Sequence, residues 1–345
     1  MVRRSIWMAI AVLATLLAGV ASAASEPIKL KLHHLLGPKS NAHRDMLVPW
    51  VERVEKAAAG KVKIEIYPAM SLGGKPPQLI RQVRDGVVDI IWTVNGYTPG
   101  LFPRTEVFEL PLVHTNNITA TNLAMYDMFE EYLAGDYRGV RPLFLHVHAG
   151  NAIHMVDTLV RKPEDLAGKR MRIPTRTGAW VLEALGTTPV GMPVPDLPQA
   201  LAKKGLDGAL IPFEIIGALK LHELTRYQIE GHDGFRLGTL TFQVSMNLAR
   251  WKSLPKDVQA AFTKESGREW RRELGPIWVK AEVDGLAPVL AAGRKPVRLT
   301  EAETQAFKNK VAPVVDRWIK EVKAKGIDGA KLVEQARALI AKHSK

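Results

Sequence analysis

The sequence predicts an α/β protein of two lobes, each a mixed sheet flanked by helices, with long helices at its C-terminal end. Stretches in which apolar and polar residues alternate recur between stretches with apolar residues three and four apart, an order typical of strands that alternate with helices. The chain has 345 residues, which exceeds the usual ~100–200 residues of one domain. Its last third carries helical patterns alone.

The first 24 residues have the features of a signal peptide for export. Arg3 and Arg4 form a positive start, residues 6–20 are apolar, and Ala21-Ser22-Ala23 fits a cleavage site. The apolar stretch is shorter than the roughly 20 residues that cross a bilayer, and no later stretch is both long and uncharged enough. We therefore expect a soluble mature protein in the periplasm.

Composition excludes several kinds of site. The chain has no cysteine, which excludes disulfides, thiolate metal sites and a lipid-modified cysteine. The formal net charge is +13, from 48 basic and 35 acidic residues, and such a charge suits nucleic acid, an anionic membrane face or small anions. Because acids lie between the basic residues along the chain, we expect a solvated basic surface and no nucleic-acid partner.

We assign residues 25–149 and about 235–260 to lobe I. Ser40 is the expected N-cap of its first helix, and Gly60 is the expected stop. Lobe I is expected to contain strands at 28–32, 62–67, 87–92 and 142–148, and helices at 40–60, 78–85 and 117–133. A long return strand at 235–248 brings the chain back to this lobe, so at least two segments form the hinge.

We assign residues 150–234 to lobe II and residues 261–345 to helices that pack across or against both lobes. Lobe II is expected to contain strands at 152–157, 169–173 and 207–211, and helices at 178–185 and 198–204. Thr300 and Glu303 form a capping box in the C-terminal region. We expect Pro276, Pro288 and Pro313 to kink or divide the helices there.

The sequence lacks the common catalytic templates. It has no G-x-S-x-G, no H-E-x-x-H, no P-loop and no G-x-G-x-x-G after a strand. We therefore expect no enzyme and no cofactor. Five histidines near strand ends allow a metal site, but no carboxylate has a matching spacing, so hydrogen-bonded histidines near the hinge are the favoured interpretation. These histidines are His33, His34, His146, His148 and His154.

Arg172 is the strongest candidate for binding an anion. It lies at the end of the strand 169–173, Pro174 follows, and a helix begins near Thr177 or Gly178. A guanidinium beside the free amides of a helix N-terminus suits a carboxylate, which the arginine fork binds through two hydrogen bonds. Taken alone, an exposed arginine at a strand end is the better interpretation.

Six short motifs, which follow one another between about residues 28 and 262, favour an anion-binding role of Arg172 over an exposed arginine. They are Leu72-Gly73-Gly74, Gly86-Val87-Val88-Asp89, Leu110-Pro111-Leu112, residues 163–174, Ala200-Leu201 through Leu206-Asp207-Gly208, and residues 251–255. In this order the chain resembles the DctP-like substrate-binding proteins of tripartite ATP-independent periplasmic (TRAP) transporters. The resemblance implies a type II-like periplasmic-binding-protein fold and a ligand carboxylate held by Arg172. It also implies delivery to membrane subunits that use an ion gradient, and we expect a monomer, with a helix-swapped dimer left open.

Two departures from that family indicate a less polar ligand. Ala152 stands where many members have a second arginine, and Ala209 stands where many have an asparagine. A ligand with more polar oxygens would leave some of them unpaired, at ~1–3 kcal/mol each. We therefore expect a monocarboxylate with an apolar or aromatic body. The expected contacts beside Arg172 are Trp92, Thr93, Asn95, Tyr97, Ile211, Phe213, His34 and Asn151.

Three alternatives stay open at this point. Trp92 and Phe213 also suit plain packing beneath a cleft, because aromatic side chains fill cores as well as pockets. The protein as a whole also suits an exported enzyme that acts on a small organic acid, or a ligand sensor that docks on a signalling partner.

Overall fold

The computed structural model describes residues 26–345, so the predicted signal peptide lies outside the described residues. The chain forms two mixed sheets with helices on their faces, which confirms the predicted two-lobed α/β class. The strands are β1 (Ile28–His34), β2 (Val62–Tyr67), β3 (Ile90–Val94), β4 (Val140–Val147), β5 (Ala152–Met155), β6 (Arg170–Ile173), β7 (Thr188–Gly191), β8 (Gly208–Ile211), β9 (Tyr227–Glu230), β10 (Thr241–Asn247) and β11 (Val297–Arg298).

The sheet of lobe I has the strand order β2-β1-β3-β10-β4. β1 runs parallel to β2 and β3, whereas β10 runs antiparallel to β3 and β4. Every residue of β3 and β10 is buried. Strands covered on both faces can carry continuous apolar runs, which is why β3 lacks the alternation of β2, whereas β10 alternates polar and apolar residues although both of its faces are buried.

The sheet of lobe II has the strand order β11-β9-β5-β8-β6-β7. β5 runs antiparallel to β8 and β9, and β6 runs parallel to β7 and β8. β7, β9 and β11 were not predicted. Each has at most four residues, which is too short for a periodic pattern to stand out.

Twelve α-helices surround the two sheets within residues 26–345. They are α1 (Val48–Ala57), α2 (Leu79–Arg84), α3 (Ile118–Met128), α4 (Arg176–Ala184), α5 (Leu197–Ala202), α6 (Leu221–Leu224), α7 (Leu248–Ser253), α8 (Lys256–Glu265), α9 (Arg268–Ala291), α10 (Glu301–Val311), α11 (Pro313–Lys323) and α12 (Gly329–His343). None of them is long and apolar enough to cross a membrane.

The C-terminal helices differ in part from the prediction. Pro313 starts α11 and separates it from α10, and the capping box of Thr300 and Glu303 is present. By contrast, α9 runs unbroken for 24 residues through Pro276 and Pro288, which corrects the expected division. Pro276 is exposed, so the carbonyl that its ring deprives of a partner faces solvent.

Two predicted strands are displaced in the structure. β3 begins at Ile90 rather than residue 87, because Val87 is exposed in a turn and the Asp89 carboxylate accepts from the Lys31 N–H at 2.8 Å. The long strand predicted over 235–248 is only β10, since residues 235–240 cross between the lobes. There the Leu237 N–H donates to the Asn151 carbonyl at 2.9 Å.

The two crossing segments run side by side. The Asn151 N–H donates to the Gly238 carbonyl at 2.8 Å. Gly150 and Gly238 are both required, since a Cβ on the first would overlap the Arg236 side chain and one on the second would overlap the Glu109 carbonyl. The long helix α9 packs on α3 of lobe I and against the turn Phe213–Ile215 of lobe II. The exact lobe boundaries stay a prediction.

Candidate functional site

A cavity lies between the two sheets, and small-molecule sites occur preferentially at such interfaces between domains. Both lobes and α9 contribute to its wall. Lobe I contributes Leu35, Leu36, Trp92, Val94, Tyr97, His148, Leu240 and Phe242, lobe II contributes Arg172, Val194, Ile211, Pro212, Glu214 and Ile215, and α9 contributes Trp278.

Arg172 supplies a positive charge to this wall. The residue is 1% exposed, on the central part of the lobe II sheet between β7 and β8. Its Nε and Nη2 donate to the Met192 carbonyl at 3.1 and 3.0 Å. No carboxylate of residues 26–345 forms an ion pair with it. Burial lowers the pKa of Arg172, opposed by the nearby Tyr97 and Asp196, and an arginine stays charged in spite of such a shift.

Tyr97 connects the lobes beside Arg172. It follows β3 in lobe I, and its hydroxyl oxygen accepts from the Val194 N–H of lobe II at 2.9 Å. Burial raises the pKa of Tyr97, opposed by the charge of Arg172. The cationic end of the cavity is therefore closed by a neutral phenol that is fixed in place by a backbone bond.

Stacked rings form the wall on the lobe I side. Trp92 and Phe242 are parallel, with ring centroids 5.2 Å apart and planes 3° apart. His146 extends this stack. Its Nε2 accepts from the Trp92 Nε1–H at 2.9 Å, and its ring centroid lies 4.8 Å from that of Phe242 and 5.2 Å from that of Trp278. Burial lowers the pKa of His146 to about 3, so the ring is neutral and the wall carries no charge.

The predicted contribution of helix amides is wrong. Helix α4 begins at Arg176, its N-cap Thr175 accepts from the Gly178 N–H at 3.1 Å, and no residue of the helix lines the cavity. Its first turn faces lobe I instead, where the Thr177 hydroxyl donates to Glu109 at 3.1 Å. Arg172 is thus the only cationic side chain in the wall formed by the described residues.

The structure brings four of the predicted contacts together in the cavity wall: Arg172, Trp92, Tyr97 and Ile211. Thr93 and Asn95 do not line it. Successive residues of a strand point to opposite faces, so Trp92 and Val94 face the cavity while Thr93 and Asn95 face away. The Asn95 amide donates to Tyr137 and Thr241 and accepts from Gln243.

Three other predicted contacts lie outside the wall. His34 sits behind Trp92 and shares a hydrogen bond with His43, its Nε2 2.9 Å from Nδ1 of that residue. The Phe213 ring packs under the Arg236 guanidinium at 4.1 Å, so its backbone is near the cavity and its ring is not. Asn151 lines a separate small cavity beside the hinge.

The prediction missed several wall residues, among them His148, Glu214, Phe242 and Trp278. Glu214 directly follows the predicted Phe213, and a one-residue shift at the turn exchanges which of the two faces the cavity. Phe242 lies opposite Val94 and His146 in the sheet. Trp278 belongs to a helix far along the chain, and no local pattern in the sequence assigns it to this cavity.

Polar contacts hold the lobes together over the cavity. The Arg176 guanidinium of lobe II donates to both oxygens of Glu106 in lobe I at 2.8 and 2.6 Å. The indole of Trp318 on α11 donates to the same carboxylate at 3.2 Å. Nearby, burial and Glu106 raise the pKa of Glu109 to about 7. A Cβ on Gly96 would overlap Thr175, so the two lobes approach closely there. The structure is therefore that of a closed form.

A second pocket lies on lobe I and includes Arg141 and Arg271 in its wall. Arg271 donates to the carbonyls of Ser266, Gly267 and Leu143, and these bonds cap the end of α8. No residue of lobe II lines this pocket. The interlobe cavity, whose wall comes from both lobes and contains the buried Arg172, is therefore the candidate site.

Comparison with known proteins gives the same fold. Residues 32–321 match the model of the DctP family, described as bacterial extracellular solute-binding protein family 7.

Three solved structures are similar over nearly their whole length. A TRAP solute-binding protein of Rhodoferax ferrireducens with copurified benzoate is 40% identical, covers 92% of this chain and 98% of its own, and has a TM-score of 0.89. A marine metagenome TRAP protein specific for aromatic acids, in complex with 3-hydroxybenzoate, is 39% identical, with coverages of 93% and 100% and a TM-score of 0.90. A Bordetella bronchiseptica TRAP protein with bound mandelate is 27% identical, with coverages of 92% and 99% and a TM-score of 0.84.

Proposed function

The chain belongs to bacterial extracellular solute-binding protein family 7, the TRAP-transporter binding proteins, and we propose that its ligand is an aromatic monocarboxylate. In this proposal the protein captures the acid in the periplasm and delivers it to the membrane subunits of a TRAP transporter. The predicted signal peptide and the predicted monomeric state fit this role. The protein binds its ligand and does not transform it.

The observation that carries the proposal is the buried Arg172 without a carboxylate partner. A buried charge is costly unless it is paired, and a guanidinium bonded only to one carbonyl keeps most of that cost. A ligand carboxylate at the remaining N–H groups supplies the missing negative charge and accepts hydrogen bonds in the geometry that the arginine fork favours.

The rest of the wall supports an aromatic body. Trp92 and Phe242 present a flat, uncharged surface to the cavity, and aromatic rings pack favourably in offset or edge contacts with such a surface. Ala209, the strand neighbour of Arg172, and the buried Ala152 offer no side-chain polar group to further ligand oxygens. Relatives that bind benzoate, 3-hydroxybenzoate and mandelate support the same chemical class.

The test is a binding screen built on matched ligands. Protein unfolded and refolded to release any copurified molecule is titrated calorimetrically with benzoate, 3-hydroxybenzoate, mandelate, succinate and glucuronate. Benzamide, which has the shape of benzoate without its charge, is the control. We expect the aromatic acids to bind and to raise the melting temperature. At a ligand concentration of a hundredfold Kd, the free energy of unfolding should rise by about 2.7 kcal/mol.

Two outcomes contradict the proposal. Binding of benzamide as tight as that of benzoate would contradict the role of the Arg172 charge. Binding of succinate or glucuronate tighter than that of the aromatic acids would contradict the aromatic class of ligand. Mass spectrometry of each bound acid after prolonged incubation tests the absence of turnover, and conversion of the acid would favour an enzyme.

A further inference from the structure

Three cavity-lining side chains have a buried polar atom without a hydrogen-bond partner among residues 26–345. They are His148, with Nε2 free, Glu214, with Oε2 free, and Trp278, with Nε1 free. Most buried polar atoms in folded proteins have a partner, because leaving them unpaired costs free energy. Three such atoms around one cavity therefore indicate a polar group of the ligand.

His148 offers an acceptor at this position. Its Nδ1 is within hydrogen-bond distance of the Ala149 carbonyl and 3.1 Å from the Thr239 hydroxyl oxygen. A carbonyl only accepts, so the proton of the neutral ring is on Nδ1 and the lone pair of Nε2 is free. Burial lowers the pKa of His148 to about 3, so the ring does not gain a second proton near neutral pH.

Trp278 offers a donor beside that acceptor. Its ring centroid is 6.3 Å from that of His148, and both rings contact Phe242. An indole N–H donates and cannot accept. A hydroxyl group accepts one hydrogen bond and donates another at the same time, which is what this pair of side chains requires.

Glu214 completes the cluster. Its backbone N–H donates to Glu282 at 2.9 Å, which fixes the turn against α9. Burial and the neighbouring Glu282 raise the pKa of Glu214 well above its usual value. A protonated carboxyl both donates and accepts, and it does not repel an acidic ligand.

The three side chains have no bond to the residue that is proposed to bind the carboxylate, although all four line the same cavity. Arg172 bonds to Met192 and lies beside Tyr97 and Asp196. No hydrogen bond or ion pair within the described chain joins it to His148, Glu214 or Trp278. The cavity therefore has a cationic part and a neutral polar part, with the stacked rings of lobe I in its wall.

We propose that His148, Trp278 and Glu214 bind a hydroxyl group on the ring of the ligand, so that the protein prefers hydroxylated aromatic acids to the unsubstituted acid. This inference rests on the proposed function. It adds a second recognition element to the carboxylate clamp and assigns the specificity of the site to these three side chains.

The test compares benzoate with its 2-, 3- and 4-hydroxy derivatives by calorimetry. We expect at least one hydroxybenzoate to bind about 10- to 100-fold tighter than benzoate, because a site with unpaired polar groups discriminates against a ligand that leaves them unpaired. In Trp278→Phe and His148→Phe this ratio should fall toward one, since each replacement keeps a ring and removes the unpartnered nitrogen, although His148→Phe also removes the Nδ1 contact with Ala149.

Trp270→Phe is the matched control. Trp270 lies on the same helix and also has a buried Nε1 without a partner, but it does not line the cavity, so its replacement should leave the ratio unchanged. Equal binding of benzoate and all three hydroxybenzoates to the unaltered protein overturns the inference and leaves the proposed function in place. Failure of all four acids to bind contradicts the proposed function itself.

Discussion

Replacement of Arg172 by methionine tests the central contact of the site. Methionine keeps the length and much of the volume of the side chain and removes the charge. The ligand carboxylate then enters a buried site without a counter-ion, a loss of ~3–5 kcal/mol for one partner of a buried pair. That loss corresponds to a roughly 150- to 5000-fold rise in Kd.

The assay is calorimetric titration with benzoate, together with thermal unfolding of the unliganded protein. Without ligand, the Arg172→Met variant lacks two hydrogen bonds to the Met192 carbonyl, but it also no longer buries a cation. Because these two effects oppose each other, its melting temperature should differ little from that of the unaltered protein. Arg172→Lys should have an intermediate effect, because an ammonium group keeps the charge without the planar fork.

Arg170→Met provides the control on the same strand. Arg170 begins the strand, outside the cavity wall, its side chain is 48% exposed, and it pairs with Asp207. Its loss should leave the benzoate Kd unchanged. A Kd for Arg172→Met within a factor of ten of the unaltered protein would show that the charge of Arg172 does not hold the ligand, and the reasoning from its burial would then be wrong.

Three further predictions concern closure, acid stability and packing. Glu106→Gln weakens the contact with Arg176 that holds the lobes together and should raise the Kd about 5- to 30-fold, with a larger radius of gyration in solution scattering of the liganded protein. Buried histidines with pKa values of about 3 take up protons on unfolding below pH 6.5, so the free energy of unfolding should fall as the pH drops from 7 toward 4, measured by urea titration; these are His34, His146, His148 and His154. Gly285→Ala places a methyl group on the Phe213 carbonyl and should lower the melting temperature by several degrees, whereas Gly217→Ala, whose methyl group would meet Pro288 at an ordinary contact distance of 3.9 Å, should not.

The sequence predicts the parts of the site that follow from local order. Trp92 lies in the buried strand β3, Tyr97 follows that strand, and Arg172 is next to the last residue of β6. Their meeting at the ends of the strands follows from the α/β arrangement. Alternation along β3 explains why Asn95 faces away. Trp278 could not be predicted, because its place depends on how α9 packs across both lobes.

The secondary-structure predictions also divide into those that follow from the local sequence and those that depend on tertiary contacts. The strand at 62–67 was predicted with the bounds that the structure has, because a strong alternation and flanking turns mark it. Residues 235–240 are apolar enough for a strand, yet they serve as a crossing because their backbone bonds go to Asn151 rather than to a sheet. Such a choice is made by tertiary contacts, which a linear pattern does not contain.

The carboxylate of Glu106 joins three separate parts of the chain, since it is bonded to Arg176 of lobe II and to Trp318 of the C-terminal helices. Separation of the lobes therefore requires that this junction break. A change at Glu106 or Arg176 would alter how readily the lobes open without altering the cavity wall, because neither side chain lines it.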